Sequence, residues 1–413
     1  RFNYQFANRY YINLTGRRDG SSRFGPNNRF ANFGAVGAAW VFSNEKFLED
    51  SNWLSFGKIR TSYGTAGSDH IGNYQFYDTY NSTTVVYNGT QGITPSRLFN
   101  ANYGWETTRK FEVAMELGFL QDRIQFTSAY YRNRSGNQLV GIPLPGTTGF
   151  TSVQANLDAV VQNQGVELTL SAKPIKHSNF QWDSSFNFSV PQNKLISFPN
   201  LEASTYVSTL VIGQSMVLKK MFHYLGVDPV TGVYQFEDVN NDGKLDANDR
   251  TVVKELGVKW YGGLQNTFRY KNFQLDILMQ VSSQTRENLI ARMGNLGTIG
   301  NYSTEFLDYW TPTNTDARYQ KPSSGASSVL STANANFRLS DASVMDSYYI
   351  RLKNIQFSYQ LPRKTFKRFQ GVVFFQGQNL WTSTNYKGLD PEFNLSGYTP
   401  ALRIWSFGFN LTY

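Results

Sequence analysis

The stretch Phe273-Gln274-Leu275-Asp276-Ile277-Leu278-Met279-Gln280-Val281-Ser282 is apolar at every odd position and, Leu278 apart, polar at every even one. Successive side chains of a strand point to opposite faces, so period two reads as a strand with one apolar and one polar face. The pattern recurs. Phe111, Val113, Met115, Leu117 and Phe119 alternate with Glu112, Ala114, Glu116 and Gly118, and Phe186, Phe188 and Val190 alternate with Ser185, Asn187 and Ser189. At the end of the sequence Trp405, Phe407, Phe409, Leu411 and Tyr413 share a face opposite Ile404, Ser406, Gly408, Asn410 and Thr412.

Followed outward, the periodicity predicts about thirteen strands, most of about ten residues. They cover 2–8, 10–19, 32–43, 54–66, 107–120, 122–134, 163–174, 178–190, 259–271, 272–284, 346–361, 369–381 and 402–413. Some joins are short polar turns, such as Gln121-Asp122 and Lys271-Asn272. Others are long loops, over about 67–106, 191–258 and 285–345. Short turns at one end and long loops at the other are the asymmetry of an outer-membrane barrel. Strands of about 9–11 residues suit a tilted membrane crossing. A soluble sandwich or propeller also gives period two. Up-and-down hairpins, the lack of a short propeller-length repeat and aromatic residues near strand ends favour the barrel. The expected fold class is all-β, an antiparallel transmembrane β-barrel. An apolar final strand is an aggregation hazard in water and is expected of a barrel in lipid.

Composition narrows the alternatives. The 413 residues include 32 Phe, 25 Tyr and 8 Trp, and only 17% are charged, below the roughly 25% of soluble globular chains. So much aromatic and so little charge excludes intrinsic disorder. The absence of Cys excludes a disulfide scaffold and a Cys-ligated zinc site. No run of about 18 apolar residues is present, so no transmembrane helix is expected. The net charge of +9 invites a nucleic-acid reading, but the basic residues are scattered, with small clusters such as Arg17-Arg18 and Arg363-Lys364. No nucleic-acid partner is expected. Basic loops suit a surface that meets anionic lipopolysaccharide.

Particular words then carry a resemblance. Arg17-Arg18-Asp19-Gly20-Ser21-Ser22-Arg23-Phe24-Gly25, Asn28-Arg29-Phe30 and Ala38-Ala39-Trp40 come first. Lys58-Ile59-Arg60-Thr61-Ser62-Tyr63-Gly64, Pro143-Leu144-Pro145-Gly146-Thr147-Thr148-Gly149-Phe150 and Asn163-Gln164-Gly165-Val166-Glu167 follow. Tyr348-Tyr349-Ile350-Arg351-Leu352-Lys353-Asn354-Ile355 and Gln378-Asn379-Leu380 close the series. In this order they resemble the SusC/RagA family of TonB-dependent outer-membrane transporters of Bacteroidetes. The resemblance implies a 22-stranded barrel with a plugged lumen, coupling to TonB-ExbB-ExbD, and a SusD-like lipoprotein lid. It implies import of oligomeric nutrients, glycan first and peptide in some relatives. Thirteen strands fall short of 22, and nothing here matches an N-terminal extension, a TonB box or a plug domain. The expectation is therefore the C-terminal barrel portion of a longer transporter. Two other functions remain open: a secreted or surface carbohydrate-binding β protein, and an uncoupled pore or secretion component.

Among the motifs that carry chemistry, Asp238-Val239-Asn240-Asn241-Asp242-Gly243-Lys244-Leu245-Asp246-Ala247-Asn248-Asp249 fits D-x-N-x-D-G with an acid at position twelve. Ca²⁺ takes six to eight hard oxygens, and alternate residues of a tight loop supply them. Asp238, Asn240 and Asp242 are the candidate side-chain ligands. Lys244 would give its carbonyl, Asp246 would bind directly or through water, and Asp249 would close the site. The other reading is an Asx-rich turn without metal. Tyr234-Gln235-Phe236 reads as extended, so no EF-hand helix pair is expected.

No enzyme is expected: there is no H-E-x-x-H, G-x-S-x-G or P-loop. Glu112 and Glu116 lie about 13 Å apart along one strand face, too far for a glycosidase pair. They read, with Glu167 and Asp276, as polar residues that hydrogen-bond a plug or water. Tyr74, Tyr77, Tyr103 and Trp105 lie in aromatic loops. They would either stack on sugar rings or pack as interfacial girdle and loop core.

Overall fold

A computed structural model describes residues 1–150, 152–289, 291, 294–362, 370–393 and 399–412. Arg363, Lys364 and Tyr413 lie outside the described residues. In chain order the strands are β1 (Phe2–Phe6), β2 (Tyr10–Gly20), β3 (Phe30–Trp40), β4 (Leu54–Ser68), β5 (Thr79–Tyr87), β6 (Thr90–Arg97), β7 (Glu106–Phe119), β8 (Ile124–Gly136), β9 (Gln138–Pro143), β10 (Ser152–Leu157) and β11 (Val160–Lys176). They continue as β12 (Phe180–Ser197), β13 (Leu218–Met221), β14 (Tyr224–Val227), β15 (Tyr234–Phe236), β16 (Val252–Glu255), β17 (Gly257–Tyr270) and β18 (Phe273–Glu287). After the helix α1 (Ser328–Arg338) come β19 (Val344–Gln360), β20 (Gln370–Thr384) and β21 (Ile404–Thr412). No helix among the described residues is long and apolar enough to cross a membrane, which says nothing of strands.

Thirteen strands enter one antiparallel sheet: β1 to β4, β7, β8, β11, β12 and β17 to β21. Each corresponds to one of the segments that the period-two pattern predicts. The eight remaining strands form four two-stranded sheets within the long connections, which sequence periodicity reads only as loop. From β4 to β19 long connections (69–105, 137–159, 198–256, 288–343) alternate with tight ones (120–123, 177–179, 271–272); before β4 lie the tight turn 7–9 and the connections 21–29 and 41–53, of intermediate length. At the β1–β2 turn both Ala7 and Asn8 have positive φ (51° and 53°), the backbone of a type I′ hairpin, whose twist matches that of the strands.

The chain divides into two compact units, Arg1–Ala172 with Ser189–Met216, and Lys173–Phe188 with Val217–Tyr413. In the first, register aligns Phe2, Leu14, Val36, Tyr63 and Phe111 across five strands. One residue along, Asn3, Asn13, Gly37, Ser62 and Glu112 align on the opposite face. In the second, Leu275, Phe357, Phe375 and Phe407 form an apolar row, and Gln356, Gln376 and Ser406 form a polar one. The apolar rows are open: Leu14, Val36, Tyr63, Phe357, Phe375 and Phe407 are all exposed. Buried apolar clusters occur instead in the long connections and the strand ends that carry them: Phe24, Phe76 and Tyr103; Ala159, Leu195, Phe198 and Leu201; and Tyr234, Ala333 and Phe337. A sheet with an exposed apolar face and a polar opposite face is the two-sided wall expected of a membrane barrel.

Candidate functional site

In the first unit the polar face is built around a cation. Arg60 on β4 is opposite Ala114 on β7, so Glu112 and Glu116, two residues either way, flank it on the same face. Its Nε donates to Glu116 at 2.8 Å, a second nitrogen pairs with Glu112, and Lys58 reaches Glu116 at 3.3 Å. The carboxylates lie on the polar face expected of them, and within this chain they pair with Arg60 and Lys58 of the neighbouring strand. In the second unit, Asp276 lies on that unit's polar face and accepts from Thr267 at 2.6 Å and Gln274 at 2.7 Å. The cross-strand partners were not read from the sequence. They need the β4–β7 register, and 37 residues of loop (69–105) intervene.

The second unit holds a buried ionic network that sequence reasoning missed. Arg351 on β19 has only 2% of its side chain exposed. Its guanidinium donates to Asp390 at 2.8 Å, Glu392 at 2.7 Å and the Thr382 hydroxyl at 3.0 Å. Lys353 adds a 2.9 Å bond to Glu392, and Gln284 donates to the Pro391 carbonyl at 2.5 Å. The β20–β21 connection is thereby pinned to the polar face. Burial works to raise the Asp390 pKa, but the Arg351 hydrogen bond and the Glu392 backbone N–H outweigh it and hold the carboxyl below its usual range. Arg351 drew notice only as part of a motif. Its partners lie 39 and 41 residues away, beyond what local pattern shows.

The Asp-rich loop follows β15, which is extended as expected, and ends in a single 3-10 turn. Asp238 Oδ2 accepts from Gly243 N at 2.9 Å. Asn240 and Asp242 bond each other at 3.0 Å, and Asp242 caps Lys244 N at 2.8 Å. Asp246 and Asp249 form a reciprocal capping box. Asp249 is fully buried and accepts from Val239 N at 2.9 Å and Asp246 N at 2.8 Å. These backbone bonds, led by that from Asp246, lower its pKa against the opposing effect of burial. Among the described residues no three His, Cys, Asp or Glu side chains already stand together as a metal cage. The donor chemistry is still that of a hard cation, and Asp238 Oδ1 is buried without a hydrogen-bond partner, an acceptor left over by the loop's own bonds.

The four aromatic candidates separate. Tyr103 is 1% exposed and packs with Phe24 and Phe76. Trp105 packs at ring distances of 4.8 Å from Phe24 and 5.6 Å from Phe33, and its indole N–H donates to the Arg29 carbonyl. These two are loop core, because the 69–105 connection must bury apolar surface of its own; the sugar-stacking expectation is corrected for Tyr103 and weakened for Trp105. Tyr74 and Tyr77 remain exposed, their rings 5.9 Å apart.

With this geometry in place, the comparisons are specific. The family model described as "TonB dependent receptor-like, beta-barrel" matches residues 1–380. TonB-dependent receptor P3 of Formosa agariphila is 28% identical over all of this chain and 45% of its own length. TonB-dependent receptor SusC of Bacteroides thetaiotaomicron is 27% identical over 95% of this chain and 41% of its own. The chain thus spans less than half the length of these curated relatives. Among solved structures, the RagAB peptide transporter is similar with a TM-score of 0.83 at 24% identity, over 99% of this chain and 46% of that one.

Proposed function

This chain belongs to the TonB-dependent receptor β-barrel family, whose SusC-type members are outer-membrane proteins, and from that premise we propose that it is the barrel wall of an energised importer of oligomeric nutrients. The cargo is a glycan, with peptide the alternative. The observation that carries the reading is the conjunction of a family match over residues 1–380 with a thirteen-stranded sheet that is apolar and open on one face and polar on the other. The wall makes and breaks no bonds. It holds a plug and carries the long loops, on which a SusD-like lipoprotein delivers cargo. Tyr74 and Tyr77, both exposed in those loops, offer ring surface for stacking on a sugar.

The test uses the full-length protein in the outer membrane. Uptake of a labelled oligosaccharide is expected to stop when TonB, or the neighbouring lid lipoprotein, is deleted. Uptake that survives loss of TonB means an uncoupled pore, and a protein that stays monomeric without detergent is no barrel.

We propose also that the Asp238–Asp249 loop takes up Ca²⁺ as a structural ion. The support is the hard-oxygen series Asp238, Asn240, Asp242 and the Lys244 carbonyl, with the buried, unpartnered Asp238 Oδ1. Asp246 and Asp249 preorganise the loop through its backbone. A higher Tm in Ca²⁺ than in chelator, abolished by Asp238→Asn, is expected; equal Tm values overturn the assignment.

A further inference from the structure

The polar face of the second unit contains a cavity of about 530 Å³, in the range of small-ligand sites. Its lining is dominated by carboxamides: Asn187, Gln280, Asn354, Gln376 and Gln378, from β12, β18, β19 and β20. β12 packs closely on the β17 glycines: an added Cβ would lie 2.6 Å from the Asn187 carbonyl oxygen at Gly262 and 3.3 Å from the Asn187 amide nitrogen at Gly263. Tyr261 and Leu278 add apolar surface, both more than a third exposed.

The amides are held but not saturated. Gln376 donates to Asn354 at 2.7 Å. One end of the Gln280 amide is tied to the Tyr349 hydroxyl at 3.0 Å, while its Oε1 is buried without a partner. The Gln378 carboxamide on β20 is exposed in the same wall, so it is the amide that an entering ligand meets first. The one charge in the lining, Lys353, is already neutralised by Glu392 at 2.9 Å. An ionised ligand entering here would lose water and meet no opposite charge. A hydroxyl-rich chain meets planar amides that both donate and accept, and a ring for its apolar face.

We propose that this cavity is a subsite for uncharged oligosaccharide, and that it discriminates against charged chains. The proposal rests on the importer reading above and deepens it. It is tested on the full-length protein in detergent by titrating maltohexaose and xylohexaose against hexagalacturonate and hexaalanine, in wild type, Gln280→Leu and the milder, surface-exposed Gln378→Leu. At least one neutral hexasaccharide is expected to bind. Each variant is expected to weaken it about tenfold, the worth of one or two hydrogen bonds, at unchanged Tm. Binding only of the acidic sugar or the peptide overturns the proposal, as does binding of neither neutral sugar. Neutral-sugar binding unaltered in both variants also overturns it; if the variants then lower Tm, the face carries polypeptide plug. TonB-dependent oligosaccharide uptake measured in parallel separates the two failures: with uptake intact only the subsite falls, and without it the importer reading falls too.

Discussion

A guanidinium with 2% of its side chain exposed depends on its carboxylates. Removing one partner of a buried pair leaves an uncompensated charge, at a cost of about 3–5 kcal/mol. Asp390→Ala is therefore expected to destabilise the full-length protein by about that amount in detergent unfolding. Arg351→Met leaves the buried Asp390 carboxylate uncompensated and should also destabilise, whereas the double variant Arg351→Met/Asp390→Asn, which removes both charges, should cost less than either single change; a double variant no better than the singles would mean that the pair does not hold residues 390–392. His223 is a second titratable clamp. Its Nδ1 lies 2.9 Å from Asp341, whose other oxygen accepts from Tyr224 N at 3.0 Å. The Asp341 hydrogen bond raises the His223 pKa, with Glu237 assisting and Lys254 and desolvation opposing. A raised folded-state pKa means that the clamp's contribution is fully present below the unfolded value of about 6.5 and is lost as pH rises through the folded value. Amide exchange around Tyr224 should speed up as pH rises through that window, beyond the intrinsic pH effect, and the excess should vanish in His223→Gln. Single residues were the least legible level of the sequence. Tyr103 and Trp105 read equally as sugar stackers or loop core, and Tyr103 is buried while Trp105 packs against the same cluster; Arg60 and Arg351 stand out in the sequence only as parts of motifs, and they hold the polar face together. In each case a long-range contact decides the role.

Elements were legible where apolar and polar residues alternate: the five-residue β1 reads as a strand, whereas the nine-residue β5, Thr79–Tyr87, has no such alternation and reads as loop. The thirteen sheet strands declare themselves because alternation persists along them. The hairpin strands within loops are as short as Tyr234–Phe236, too short for a period to register. The helix α1 was missed although its signal is present: Ser327 caps the Leu330 N–H, and Leu330, Ala333, Asn334 and Phe337 are buried at helical spacing. The glycine of Asn163-Gln164-Gly165-Val166-Glu167 also gains a physical reason. Gly165 pairs with Tyr131, and an added Cβ would lie 2.8 Å from the Val190 carbonyl oxygen and 2.9 Å from the Tyr131 hydroxyl. The tyrosine can turn aside but the backbone oxygen of β12 cannot. Gly165→Val is therefore expected to cost about 1–3 kcal/mol by overpacking and to lower the folded fraction of the full-length protein in its heat-modifiable gel shift. Gly146→Val, with open space around it, should leave that fraction unchanged.

For the whole molecule, the decisive assertion is that one face of the sheet meets lipid and the other does not. The 65 aromatics implied by 32 Phe, 25 Tyr and 8 Trp would ordinarily announce a large core, yet the sheet's aromatic rows are exposed and the small buried clusters lie with the connections. Water does not tolerate such a face, whereas hydrocarbon does. A matched pair of charges separates the environments. Val36 lies mid-strand on the apolar face, between Leu14 and Tyr63; Ser62 lies on the polar face, between Gly37 and Glu112. An arginine facing lipid near the midplane of a barrel costs about 2–4 kcal/mol, while a lumen-facing one mainly tunes selectivity. Val36→Arg is expected to destabilise the full-length protein in bilayers by that amount. Ser62→Arg, placed beside Glu112, should fall within about 1 kcal/mol of wild type by the same scale. Equal costs would mean that both faces meet the same medium, which no membrane barrel permits, and the open apolar rows would then need a protein partner to cover them.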